Sequence, residues 1–180
     1  GTPLTIVLPA GVQAGDRITT VVNGPNGTSY TLITDLTASG AQTLTEIIPS
    51  SILTSANSGE WTTNTTITPH GSNTASAPVT SGFTLDASAP VAPTVVSQTT
   101  SDNTPVITGT ATLGSGETLS VEVNGITYTT ANGLVVSNGT WSLQLPQLSD
   151  GSYEVIASVT DAAGNATRDS STSVVIIGQV

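Results

Sequence analysis

The feature that most constrains the fold is an internal repeat. The stretch "AGDRITTVVNG" (residues 14–24) lies over "SGETLSVEVNG" (residues 115–125) at an offset of 101 residues. "EIIPSSIL" then matches "LQLPQL", with Pro49 over Pro146 at an offset of 97. "SGEWTTNTTITPHGSN" (58–73) lies over "DGSYEVIASVTDAAGN" (150–165) at an offset of 92. Order is kept and the length differences fall in loop-like stretches, so one unit of about a hundred residues occurs twice. Between the copies runs "LDASAPVAPTV" (85–95). Pro90 and Pro93 fix φ and remove donors there, which makes a short, stiff connector. The expected domains are 1–89 and 90–180.

Each copy reads as strands. In "TLSVEVNG" Leu119, Val121 and Val123 alternate with polar residues, and in "SYEVIASVT" Tyr153, Val155, Ala157 and Val159 do the same. Such alternation puts one face of a strand in a core and the other in water. With "PTVVS", "PVITGTAT", "ITYTT", "TWSLQLP" and "STSVVII", the second copy offers seven short strands, punctuated by Gly, Asn, Asp and Pro. No segment sustains a helical period. The pattern predicts an all-β chain of two tandem immunoglobulin-like antiparallel β-sandwich domains in an elongated arrangement. The first copy opens near the second strand of this scheme ("PLTIVLP"), so its own first strand is expected to be missing or rearranged.

Composition excludes several functions. Arg17 and Arg168 are the only strong bases against twelve acids, a net charge of −10. Such a surface repels phosphate backbones and anionic lipid and attracts divalent cations. Neither nucleic-acid binding nor membrane insertion by this segment is expected. There is no cysteine, hence no disulfide or thiolate metal site, and no lysine, hence no Lys–Asn isopeptide cross-link. The opening Gly1-Thr2-Pro3 has neither a basic n-region nor an apolar h-region, as expected of a piece from within a longer protein. No nucleophile elbow and no His beside a nucleophile is visible, so an enzyme is not expected. The only histidine, His70, has no acid or cysteine near it in sequence. Trp141 and Trp61 sit in alternating strands and read as core, with a sugar-stacking role as the alternative for Trp61.

"TPVITGTATLGSGETLSVEVNG", "NGTWSLQLPQLSDGSYEVIASVTDAAGN" and the Asp-x-x-x-Pro linker resemble the tandem bacterial Ig-like repeats of giant RTX-type and biofilm-associated cell-surface adhesins. The resemblance covers the second copy well and the first loosely. It implies an extracellular, monomeric stalk segment on a bacterial surface. Its partners would be neighbouring Ig-like repeats of the same chain, with Ca²⁺ stiffening the joints.

Strand parity locates a candidate joint. If the chain enters the second copy at one pole and leaves at the other, the loops holding Glu117 and Asp161–Asn165 share the entry pole with linker residue Asp86. Carboxylates converging without Lys or Arg favour a cation, and Ca²⁺ accepts six to eight oxygens in a tolerant geometry. Asp86, Glu117, Asp161 and Asn165 are therefore the candidate Ca²⁺ ligands at the interdomain junction, with Asp169 and Glu60 nearby. Turn chemistry accounts for the same loop: Asp and Asn bond their own backbone, and Gly164 supplies φ > 0. In the first copy Pro69 stands where Asp161 stands, so no equivalent site is expected there, although Asp16 remains. The leading functional expectation is a structural extender that projects a distal binding domain. The alternative is a ligand-binding adhesin module contacting glycan or protein through the divergent first domain.

Overall fold

The computed structural model describes residues 1–169 and 172–178. Its chain divides into two compact units, Gly1–Ser88 and Ala89–Val180. Both are built mainly from antiparallel ladders, and no helix among the described residues is long and apolar enough to cross a membrane.

In the first unit, β1 (Thr2–Leu8) pairs antiparallel with β4 (Gln42–Ile48) as a two-stranded sheet. The second sheet places β2 (Arg17–Asn23) between β3 (Ser29–Asp35) and β5 (Gly59–Thr68), with β6 (Val79–Leu85) outside β5. Inward side chains make two separate clusters. One holds Leu8, Val12, Ile18 and Leu36; the other holds Val22, Ile48 and Trp61. Glu46 also points inward from β4 and is only 5% exposed. Its Oε1 accepts from the Thr34 hydroxyl at 2.9 Å, while Oε2 has no partner.

Among the described residues the second unit has ten strands. β7 (Thr94–Val95) and β8 (Gln98–Thr100) precede β9 (Val106–Thr110), β10 (Thr118–Val123), β11 (Ile126–Tyr128), β12 (Leu134–Ser137) and β13 (Thr140–Gln144). β14 (Gly151–Thr160), β15 (Ala166–Arg168) and β16 (Ser173–Ile177) complete it. One sheet runs β12-β13-β9-β7; the other runs β11-β10-β14-β16-β8, with β15 also on β14. A single core cluster joins the sheets, among it Ile107, Leu119, Val121, Trp141, Val155, Ala157 and Val175. Fully burying one such aliphatic side chain stabilises by about 1.5–3 kcal/mol. A one-residue register slip in any one of these strands would turn that strand's inward set to water.

The alternating segments fold as expected, and three details differ. "PTVVS" is the start of two short strands, not one: β7 pairs antiparallel with β9, then β8 crosses to the other sheet and pairs parallel with β16. β12 and β15 were not anticipated. "LVVS" is short and bounded by Gly133 and Asn138, so alternation had too few residues to register. "ATR" follows a turn and carries no apolar alternation.

The repeat is exact at the ladder joining the central strands. Arg17 faces Thr68 across β2 and β5, and Thr118 faces Thr160 across β10 and β14, which are the pairs required by the sequence offsets. Likewise Trp61 faces Phe83 as Tyr153 faces Val175.

Candidate functional site

The Asp161 loop is built by its own hydrogen bonds. β14 ends at Thr160 opposite Thr118, where β10 begins, so Asp161 and Glu117 leave the same end of one ladder. Their loops touch: a Cβ placed on Gly116 would lie 3.4 Å from the Ala162 Cβ. The Asp161 carboxylate accepts from the backbone N–H groups of Ala163 (2.9 Å) and Asn165 (2.8 Å), and from the Asn165 side-chain amide (2.9 Å). Its own N–H donates to the Asn165 carbonyl at 3.0 Å, and Gly164, at φ 92°, donates to the Asp161 carbonyl. The Asn165 amide foremost, helped by the loop's backbone N–H groups against some desolvation, holds the Asp161 carboxyl below its ordinary value of 3.8.

Glu117 also bonds its own loop, its Oε2 accepting from the Gly114 N–H at 2.8 Å. Asp86 belongs to the first unit, just beyond β6, and accepts from the Ser88 N–H at 3.0 Å. The structure therefore brings Asp161 and Asn165 into contact and sets the Glu117 loop beside them. Among the described residues, no three His, Cys, Asp or Glu side chains gather as a metal-holding group. Taken alone, the residues of the second unit fit a self-satisfied turn better than a cage of six to eight oxygens. Asp169, nearby in sequence, donates its N–H to the Ala157 carbonyl, and Glu60 accepts from the Thr84 hydroxyl at 2.6 Å.

At the matching end of the first unit, a different acid does the joining. Asp16 is 6% exposed and accepts from the Gln13 N–H at 2.8 Å and the His70 N–H at 2.9 Å. The Gln13 and His70 backbone donors, with the nearby imidazole, hold its carboxyl below 3.8. Proximity in sequence concealed this partner of His70. The repeat alignment contained the signal, because pairing Arg17 with Thr68 necessarily sets Asp16 beside Pro69 and His70.

Both indoles are core. Trp61 is 1% exposed, stacks on Phe83 with centroids 5.9 Å apart, and donates to the Asn57 carbonyl at 3.0 Å. A buried ring cannot serve as a sugar platform, so that alternative for Trp61 is set aside. Trp141 is equally buried and donates to the Thr94 carbonyl at 3.0 Å.

Residues 93–176, nearly all of the second unit, match the family model of the bacterial Ig-like domain. No curated protein matches the sequence. Similar solved structures include a tetra-tandem repeat in the extending region of a large adhesion protein (22% identity, TM-score 0.36) and the BSP domain of a biofilm-associated protein (14%, TM-score 0.36). The comparison covers 98% of this chain in both cases, but only 50% of the first protein and 30% of the second. Murine CEACAM1b is also similar (11% identity, TM-score 0.38), with 97% of this chain and 100% of that one covered.

Proposed function

We propose that this chain is an extender segment of a bacterial cell-surface adhesin, whose work is to hold a distal binding domain away from the cell. The observation that carries this reading is repetition. A unit that matches the bacterial Ig-like family model is preceded by a second unit whose central ladders keep the same register. The sequence resemblance to adhesin stalks supports an extracellular setting and neighbouring repeats as partners. The acidic surface supports a monomeric segment that resists nonspecific association.

Solution scattering tests the reading. The maximum dimension of one copy of the chain is compared with that of two and four copies joined end to end. An extender grows nearly in proportion to copy number and stays monomeric. Collapse into a compact particle, or self-association, would rule the role out.

Calcium at the joint is a separable part of the proposal. It rests on the Lys-free acidic composition and on the resemblance, with Asp86, Glu117, Asp161 and Asn165 as nominated ligands. Melting and scattering in millimolar-range Ca²⁺ and then in chelator decide it. If the two conditions give the same melting temperature and dimension, the joint is not a calcium site.

A further inference from the structure

The two units differ most where the first strand of the second unit lies. There, β7 covers the outer edge of β9 and β8 covers that of β16. In the first unit the corresponding edges, of β1 and β6, have no ladder partner among the described residues. Between them runs an apolar groove of 520 Å³, lined by Leu4, Ile6 and Leu8 of β1, by Ile67 of β5, and by Ala77 and Val79. A second hollow of 330 Å³ continues it past Leu4 to Ile48 and Phe83.

Burial at matched positions shows that this groove cuts into the core. Val175 and Ile177 of β16 are fully buried, whereas their counterparts Phe83 and Leu85 are half-buried. Ala157 and Val159 of β14 are 0% exposed, whereas Thr65 and Ile67 are half-buried. On the other wall, inward-facing Ile107 of β9 is 0% exposed, whereas Leu4 and Ile6 of β1 are half-buried. The groove also splits the apolar interior into two clusters, where the second unit has one. Two open strand edges flanking an apolar cleft are a template for strand addition.

We propose that the first unit is an acceptor completed by one extended strand, carried on the same polypeptide directly N-terminal to Gly1. The strand adds antiparallel to β1, crosses, and adds parallel to β6, with its inward side chains covering the groove. Residues 93–100 ("PTVVSQTT") supply the template, since they make this crossing in the second unit. The source in the same polypeptide follows from connectivity: in the second unit only residues 101–105 separate β8 from β9. A strand tethered so closely to β1 is held at roughly millimolar effective concentration, which a free peptide matches only when added at that level. The inference does not depend on the extender role.

The test joins residues 93–103 to Gly1 of the full chain and compares it with the chain as it stands. Calorimetry, binding of a hydrophobic dye and residue-resolved hydrogen exchange are measured on both. The joined strand is expected to raise the melting temperature of the first unit by about 5–10 °C. It should also abolish dye binding and slow exchange along β1 and β6 at least about tenfold. The same extension carrying proline at the position copied from Val96, whose N–H donates to the Thr108 carbonyl at 2.9 Å, should do none of this. Unchanged melting, dye binding and exchange would overturn the proposal, as would an equal effect of the proline version. Protection by the free octapeptide alone, with none from the joined strand, would overturn the assignment to the same polypeptide.

Discussion

The Trp141 indole donates to the Thr94 carbonyl at 3.0 Å and so ties the first strand of the second unit to the core beneath it. Gly109 makes the approach feasible, because a Cβ there would lie 2.5 Å from the indole nitrogen and still closer to the Thr94 oxygen. One small residue, one large ring and one strand crossing thus form a single packing arrangement.

Trp141→Phe removes the donor and shrinks the buried indole to a single ring. It should destabilise the second unit by about 2–4 kcal/mol through the lost bond and the cavity left behind and leave the first unit unchanged. Gly109→Ala should cost more, since the added methyl forces β7 away from β9. Urea unfolding followed by residue-resolved exchange in each unit checks both, and equal effects on the two units would contradict the account.

Glu46 buries a carboxylate oxygen without a partner among apolar neighbours. Glu46→Leu removes that burden, while the half-exposed Thr34 hydroxyl can turn to water. The expected result is a gain of about 1–3 kcal/mol in the first unit, seen as a higher melting temperature. A lower one would mean that the Thr34 bond outweighs the buried oxygen.

Asp16 makes the first unit acid-sensitive. Its folded value lies below 3.8, so its contribution is complete above the unfolded value and is lost as pH falls through the lowered folded value. Asp16→Asn should therefore be less stable than the parent at neutral pH. The gap should narrow as pH falls below about 4. Thermal melts across that range are the measurement, and a gap that stays constant with pH would contradict the assignment.

The Asp161 turn is expected to matter even without metal. In chelator, Asp161→Ala should lower the melting temperature of the second unit, because three loop donors lose their acceptor. Gly164→Ala should cost about 1–2 kcal/mol for its left-handed backbone. If Asp161→Ala is silent in chelator, the turn bonds carry no stability.

Alternation in "TLSVEV" and "SYEVIASVT" named the buried faces correctly, because side chains on a strand alternate with a period of two whatever the strand pairs with. The ordered offsets revealed the repetition for an equally local reason, since homologous strands keep their apolar spacing. Strand parity also set Glu117 and Asp161 at one end of a ladder. It did not show that each carboxylate would bend onto its own loop. β12 and β15 were too short to announce themselves, and nothing in the local pattern marks Glu46 as buried.

The sequence by itself determined an all-β chain of two related units with both tryptophans in cores, because hydrophobic period and turn residues act over a few positions. Only the tertiary structure decided which donors Asp16 and Asp161 satisfy, and that β1 and β6 flank an apolar groove. Those outcomes depend on which strand edges meet across dozens of residues, and edge pairing leaves almost no mark on the local pattern of a strand.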